Sequence, residues 1–505
     1  MRDPSQNENR SPRRKRSAQR GVLIAVIIVL CIILAASAAF LIHLFRQEDT
    51  ATPTESTAPS TSQTVTNPTT SIPPTSPQVT QPPIPEEVTA LVKQADFIAV
   101  GYDYEKAISM LTESSYYSEY PLLSERVEAY RTADSQLVTY STPQDIPHVF
   151  FHSLIADTDR AFDGDGDAAG YNMNMTTIGE FNAILEQMYE RGYVLISPYD
   201  MAHEVTDESG THFTYGNIRL PEGKKPFLMS QDDLNYYSYM IGTVVDKVND
   251  GKGANPIFVD KENDGFAHKL VIGEDGYPTC EYMDAQGNIT TGDYDLVPLL
   301  ERFIQAHPDF SYHGARAILG VTGFEGVFGY RTKPSYEAAM GSEAYAKEVA
   351  DAKALAQCLR DKGWIIASHS YGHLSYGSEW RDGKSQPVSA YRVAADSDRW
   401  ENTVQPIVGD TDVILYPYGA DIHTWHKYPA DNEKFRALYE DGYRYFFNVD
   451  GNVWNQLGDN YFRGGRQNLD GYRMYHNPEL LSDLFDAKSV FDSARPTPVP
   501  GGSSM

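Results

Sequence analysis

Three short apolar runs in this chain each end in polar or turn-forming residues, and helix-like stretches separate them. Phe227-Leu228-Met229, entered from Lys224, Lys225 and Pro226, predicts a buried strand that runs out into two adjacent carboxylates, Asp232 and Asp233. Trp364-Ile365-Ile366-Ala367 predicts a second strand, ending in His369-Ser370-Tyr371-Gly372-His373. Val413-Ile414-Leu415 predicts a third, ending in Tyr416-Pro417-Tyr418-Gly419. Around them, 147–151 is a strand ending in His152. Phe181, Ile184, Leu185 and Met188 repeat at helical spacing within 177–192, and 193–196 follows as a strand. Helices are expected at 296–306, 343–362 and 432–440, with strands at 315–319 and 445–449. Strand, helix, strand in succession implies a parallel α/β architecture, and in a barrel of parallel strands the carboxyl ends of the strands share one face.

The chain before residue 146 has a different pattern. Residues 1–20 are polar and basic, with seven Lys/Arg against two acidic residues. Residues 21–45 form an apolar stretch long enough to span a bilayer as a helix, and the basic block before it predicts a cytoplasmic N-terminus with the remainder exported. A cleaved signal peptide ending near Ala36-Ser37-Ala38 is the competing reading. Residues 46–87 are rich in Thr, Ser and Pro, a composition for an extended stalk with no core. From 88 to 145 apolar residues return at helical spacing, as a small helical spacer resembling one tetratricopeptide-type hairpin. The main domain is placed at 146–495, with an insertion of short strand-like pieces at about 240–292.

Composition narrows the partners. Over 505 residues the formal net charge is −27, and because the N-terminal block is basic the acidity lies in the remainder. Such a surface disfavours nucleic acid, whose phosphates need Lys/Arg clusters. Cysteine is scarce: with Cys31 in the apolar stretch, Cys280 and Cys358 are left to form one disulfide or none. The segment 157–170 alternates Asp and Gly, but it has Ala168 and Asn174 where a calcium loop of the EF-hand type needs Gly and Glu, so a solvated acidic loop is expected.

Two histidines four apart would share a face of a helix, but Ser370 and Gly372 interrupt them and an apolar strand precedes them, so a turn presenting both imidazoles is expected. Zinc or a similar divalent metal takes two His and one carboxylate and keeps positions open. One Asp of the pair can ligate while the other acts as a base.

Taken in order, SQDDLNYY, SHSYGH and YPYG resemble the first three motifs of the NodB-homology polysaccharide deacetylases (carbohydrate esterase family 4), and IPHVFFHSL with EFNAILEQMYERGYVLIS resembles their circularly permuted, exported branch. The likeness spans roughly 146–480. It implies a deformed (β/α) barrel, a divalent metal, zinc above all, and hydrolysis of N-acetyl groups on hexosamine polymers of the cell surface or peptidoglycan. It implies Asp232 as general base, Asp233, His369 and His373 as metal ligands, His152 as the acid that protonates the leaving amine, and the backbone N–H of Tyr418 as an oxyanion donor. The chain departs from the family in having Leu234 for the Gly after the Asp pair, Ser230-Gln231 before it, and Leu415 where an Arg orients the base. Arg466 is the candidate replacement, His476 the second-choice acid, and Trp425 either a sugar-stacking ring or loop filler. A carbohydrate-binding module with little turnover and an O-acetyl esterase are the rival functions.

Overall fold

The computed structural model describes residues 84–241, 263–284 and 286–501. The basic tail, the apolar stretch 21–45, most of the Thr/Pro-rich segment and part of the insertion lie outside the described residues. Among the described residues no helix is long and apolar enough to cross a membrane.

The chain enters through three helices, α1 (Glu86–Val100), α2 (Tyr104–Thr112) and α3 (Pro121–Ser135). Val88, Val92 and Ala95 of α1 close on Ala107, Leu111, Leu123 and Val127 in a core of their own. The two expected helices are thus joined by a third, α3, started by a proline at its first turn. Hydrogen bonds from Tyr102 to the Asp309 carbonyl (2.9 Å) and from Arg219 to Asp134 (2.8 Å) seat this unit on the main domain.

Seven parallel strands close into a barrel: β1 (His148–Phe151), β2 (Lys225–Gln231), β3 (Ile318–Val321), β4 (Ile365–Ser368), β5 (Val413–Leu415), β6 (Tyr445–Val449) and β7 (Phe462–Asn468). Their order is β3-β4-β5-β6-β7-β1-β2, and β2 returns to β3 through Ser230↔Ile318 and Gln231↔Leu319. Surrounding helices are α4 (Ile178–Glu190), α5 (Leu296–Ala306), α6 (Ser342–Asp361), α7 (Ala390–Thr403), α8 (Glu433–Glu440) and α9 (Gly471–His476). Alternation along each strand divides two cores. Val149, Phe151, Phe227, Met229, Leu319 and Ile366 pack outward under the helices. Leu228, Ile318, Ala367, Val413, Leu415, Phe447 and Phe462 fill the interior. Interior space is tight at Gly320, where a Cβ would come within 3.0 Å of Leu415.

Two elements escape the hydrophobic pattern. Strand β7, FRGGRQN, has one apolar residue yet is buried over nearly its whole length. Helix α7 and the hairpin Ser378–Arg381/Lys384–Pro387 occupy 375–409, which reads as merely polar; α7 buries only Val393, Ser397 and Trp400. The insertion is a three-stranded antiparallel sheet, Lys269–Ile272, Pro278–Met283 and Ile289–Gly292. Both described cysteines are free, and Cys280 is buried against the Tyr236 hydroxyl.

Candidate metal centre and its surroundings

The carboxyl ends of β1, β2, β4 and β5 deliver the polar groups to one end of the barrel. Past β2 the chain turns sharply at Asp233, a non-glycine residue held at φ 56°. Asn235 secures the turn by donating to the carbonyls of Thr322 (2.9 Å) and Gly326, while its own Oδ1 receives the Thr322 N–H (3.1 Å). After β4, Ser370 (φ 57°) and His373 (φ 51°) are also left-handed. This second turn is braced by Asp396 of α7, whose carboxylate accepts from the N–H of Tyr371 (2.7 Å) and Gly372 (3.0 Å). Tyr418, after β5, is held at φ 57°. Strained non-glycine backbone at three neighbouring strand ends is the kind of cost a fold retains where side-chain placement matters.

These turns bring Asp233, His369 and His373 together, with one potential ligand atom from each within 4.8 Å of the others. Asp233 Oδ2 lies 3.5 Å from His373 Nε2 and 3.9 Å from His369 Nε2. The donor set fits a divalent metal on two further observations. The Leu415 carbonyl takes the Nδ1 proton of His369 (2.8 Å), which leaves Nε2 as the lone-pair nitrogen facing Asp233. The other oxygen of Asp233 accepts from the Tyr237 hydroxyl (2.7 Å), itself 2.8 Å from the Thr322 hydroxyl. Burial pushes the imidazolium of His369 down, against the pull of Asp232 and Asp233, which favours the neutral ligating form. Burial pushes the Asp233 carboxyl up, but His373, His369 and the Tyr237 hydroxyl outweigh it and hold the group ionised.

Asp232, only 3% exposed, points beside this cluster with one oxygen 3.9 Å from His369 Nε2. Arg466 of β7, fully buried, grips both its oxygens at 2.6 and 2.9 Å. Burial alone would raise the Asp232 carboxyl; the Arg466 guanidinium and His369 override it and drive it far below the usual carboxylate range. Arg466 reaches Asp232 from β7, a different strand from the one that carries Leu415. The guanidinium also donates to Ser230 (3.2 Å), which meets His148 Nε2 at 3.0 Å, a buried polar stack beneath Asp232. No hydrophobic pattern announced Ser230 or His148 as part of this support; their alternation with Leu228 and Phe150 on the inward faces of β1 and β2 was the available signal.

His152, at the end of β1, has Nδ1 on the Asn174 carbonyl (3.2 Å) and lies in the field of Asp232, Asp233 and Asp470. Tyr418 is 60% exposed, its ring edge-on to His373 with centroids 4.5 Å apart. Trp425 is 72% exposed and stacked on His426. His476 is committed elsewhere, to the Val499 carbonyl near the C-terminus (3.0 Å).

No family model matches the chain, and no curated protein matches it. Among solved structures, a de-N-acetylase from Aggregatibacter actinomycetemcomitans is similar over 67% of this chain and 99% of its own, at 13% identity and a TM-score of 0.37. The Streptococcus pyogenes deacetylase PplD, in complex with acetate, is similar over 67% of this chain and 97% of its own, at 11% identity and a TM-score of 0.33. At these values the likeness carries no functional weight, and the reading of the site rests on its own geometry.

Proposed function

We propose that the protein is a metal-dependent hydrolase that removes N-acetyl groups from hexosamine residues of a cell-surface polysaccharide or peptidoglycan. The observation that carries the reading is the meeting of Asp233, His369 and His373 beside an Asp232 that Arg466 holds ionised. The order and spacing of the DD, HSYGH and YPYG motifs support the choice of an amide as the bond attacked.

A divalent metal of the zinc class, held by Asp233, His369 and His373, would supply Lewis acidity to the attacking water and the acyl oxygen. The protein's own residues do the rest. Asp232 takes a proton from the water as its oxygen bonds to the acetyl carbon. The backbone N–H of Tyr418 donates to the oxyanion that develops. His152 gives a proton to the nitrogen as the carbon–nitrogen bond breaks, leaving acetate and an amine. The grip of Arg466 on Asp232 lowers its basicity and fixes its direction, so orientation and full ionisation are what this carboxylate contributes. Residues 21–45 would anchor the enzyme in the membrane with the barrel outside, facing its polymer.

The test is acetate release from N-acetylglucosamine oligomers by the full-length chain, before and after chelation and on adding back zinc. Release that stops with chelator and returns with metal is expected. Absence of release under every divalent metal tried would sink the hydrolase reading and favour a binding module on the same barrel. Release from O-acetylated xylan alone would make the protein an esterase.

A further inference from the structure

Strands β1 and β2 stop pairing just where the proposed acid and base begin. Phe151↔Gln231 is their last pair, and the Asp232 N–H donates to the Phe151 carbonyl (2.8 Å). Beyond it the two segments part, one led by His152 and the other by Asp232 and Asp233. The second is held on its own side, Asp232 by Arg466 and Asp233 by Tyr237. The His152 segment has less. His152 and Ile155 bond to the carbonyls of Asn174 (3.2 Å) and Thr176 (2.9 Å), which belong to neither strand.

One buried carboxylate spans the gap. Asp295, with no exposed surface, caps α5 by accepting the Leu296 N–H (2.8 Å). The same oxygen accepts from the Leu154 N–H (2.9 Å), two residues past His152. Both oxygens take the side-chain amide of Gln231, at 3.1 and 3.0 Å, one residue before Asp232. The second oxygen also takes the Tyr236 hydroxyl (2.7 Å), next to the Tyr237 that holds Asp233. Capping α5 uses one of these contacts. The others run to the segments that carry His152, Asp232 and Asp233. Burial pushes the Asp295 carboxyl up, and the bonds from Tyr236, Leu154, Leu296 and Gln231 pull it back toward the ionised form that accepts them all.

We propose that Asp295 is a positioning residue: it clamps the end of β1 to the end of β2 and so sets where His152 stands relative to the scissile nitrogen. This rests on the hydrolase reading above, in which His152 protonates the leaving amine. An amide depends on that proton, because its nitrogen leaves only as a neutral amine. A nitrophenyl ester does not, because nitrophenolate leaves as the anion. Asp232 keeps the grip of Arg466 when the clamp is loosened, so attack on the acyl carbon is spared. Loss of the clamp therefore falls on amides.

The experiment uses the full-length, metal-loaded chain and two acetyl donors, N-acetylglucosamine oligomers and 4-nitrophenyl acetate, counting only chelator-sensitive turnover. In Asp295→Ala, kcat/KM for the amide should fall about 10- to 100-fold, the scale of a small displacement at a reacting group, and the ester far less. Asp295→Asn keeps an oxygen for Leu154 and Leu296 and should recover most of the amide rate. Gln231→Met cuts the β2 arm alone and leaves the helix cap, so it carries the test should the alanine variant fail to fold; its amide-to-ester ratio should fall severalfold. In a His152→Gln background, Asp295→Ala should lower amide and ester turnover equally, since the group it positions is gone. Equal losses on both donors in the enzyme that keeps His152, at normal metal content, would leave Asp295 with a stabilising role alone and overturn the proposal. A parent that releases acetate from neither donor refutes the hydrolase reading itself, and the proposal falls with its premise.

Discussion

Replacing Arg466 with Met keeps an unbranched apolar side chain and removes the guanidinium from Asp232 and from the face of the Phe150 ring, whose centroid lies 4.5 Å from it. Asp232 then remains 3% exposed with its charge uncompensated. Breaking a buried, bidentate pair by deleting one partner costs about 3–5 kcal/mol, several times an exposed pair at about 0–1 kcal/mol. The hydrogen bond to Ser230 and the contact with the Asn448 carbonyl go as well, so the upper half of that range is expected. Asp232→Asn alone leaves the Arg466 charge buried and should also be costly. The double variant, with neither charge, should recover part of the loss, with a coupling of about 2–3 kcal/mol. Urea unfolding of the four full-length proteins in chelator, followed by tyrosine and tryptophan fluorescence, measures all corners of this cycle. A cost below about 1 kcal/mol for Arg466→Met, or coupling indistinguishable from zero, would refute the claim that this pair is a desolvated ion pair organising the site.

Three further outcomes are expected. Asp232→Asn should keep metal, measured by elemental analysis, and lose acetate release; full activity in this variant would remove Asp232 from the role of base. Tyr237→Phe deletes the hydroxyl that occupies the second oxygen of Asp233, and metal affinity by competition with a chromophoric chelator should fall about 10- to 100-fold, the range for groups that orient a ligand; unchanged affinity would show that the bond does not steer Asp233. In chelator, the raised Glu401 carboxyl favours the folded state fully below pH 4.5, its ordinary value, and that contribution is lost as pH rises through about 7. The Tm of the parent should therefore drop relative to Glu401→Gln between those limits, and a difference that does not change with pH would contradict the upward push on this carboxyl from its burial and from Asp441 and Asp398.

Much of this molecule was legible from local patterning. Phe227-Leu228-Met229, Ile365-Ile366-Ala367 and Val413-Ile414-Leu415 are apolar because both faces of a barrel strand are buried, so continuous runs mark them and the polar residues just beyond them mark the barrel face. Helix α5 matches its expected limits because its apolar stripe is strong and Asp295 caps its start. The segment around Arg466 was another matter. A strand of Arg, Gly, Gln and Asn has no hydrophobic signal, since its inward positions hold an ion pair and a close backbone approach instead of aliphatic side chains.

The sequence by itself determined that parallel strands alternate with helices, and that carboxylates and histidines sit where strands give way to turns. Only the closed barrel decided that Asp233 meets His369 and His373, that Arg466 reaches Asp232, and that Asp396 braces the histidine turn. These residues are separated by tens to hundreds of positions along the chain, and periodicity reports only which face of its own element a side chain is on. The neighbour across the barrel is set by strand order, by the β2–β3 closure and by three left-handed turns, each of which is stable only once the remainder of the barrel is in place.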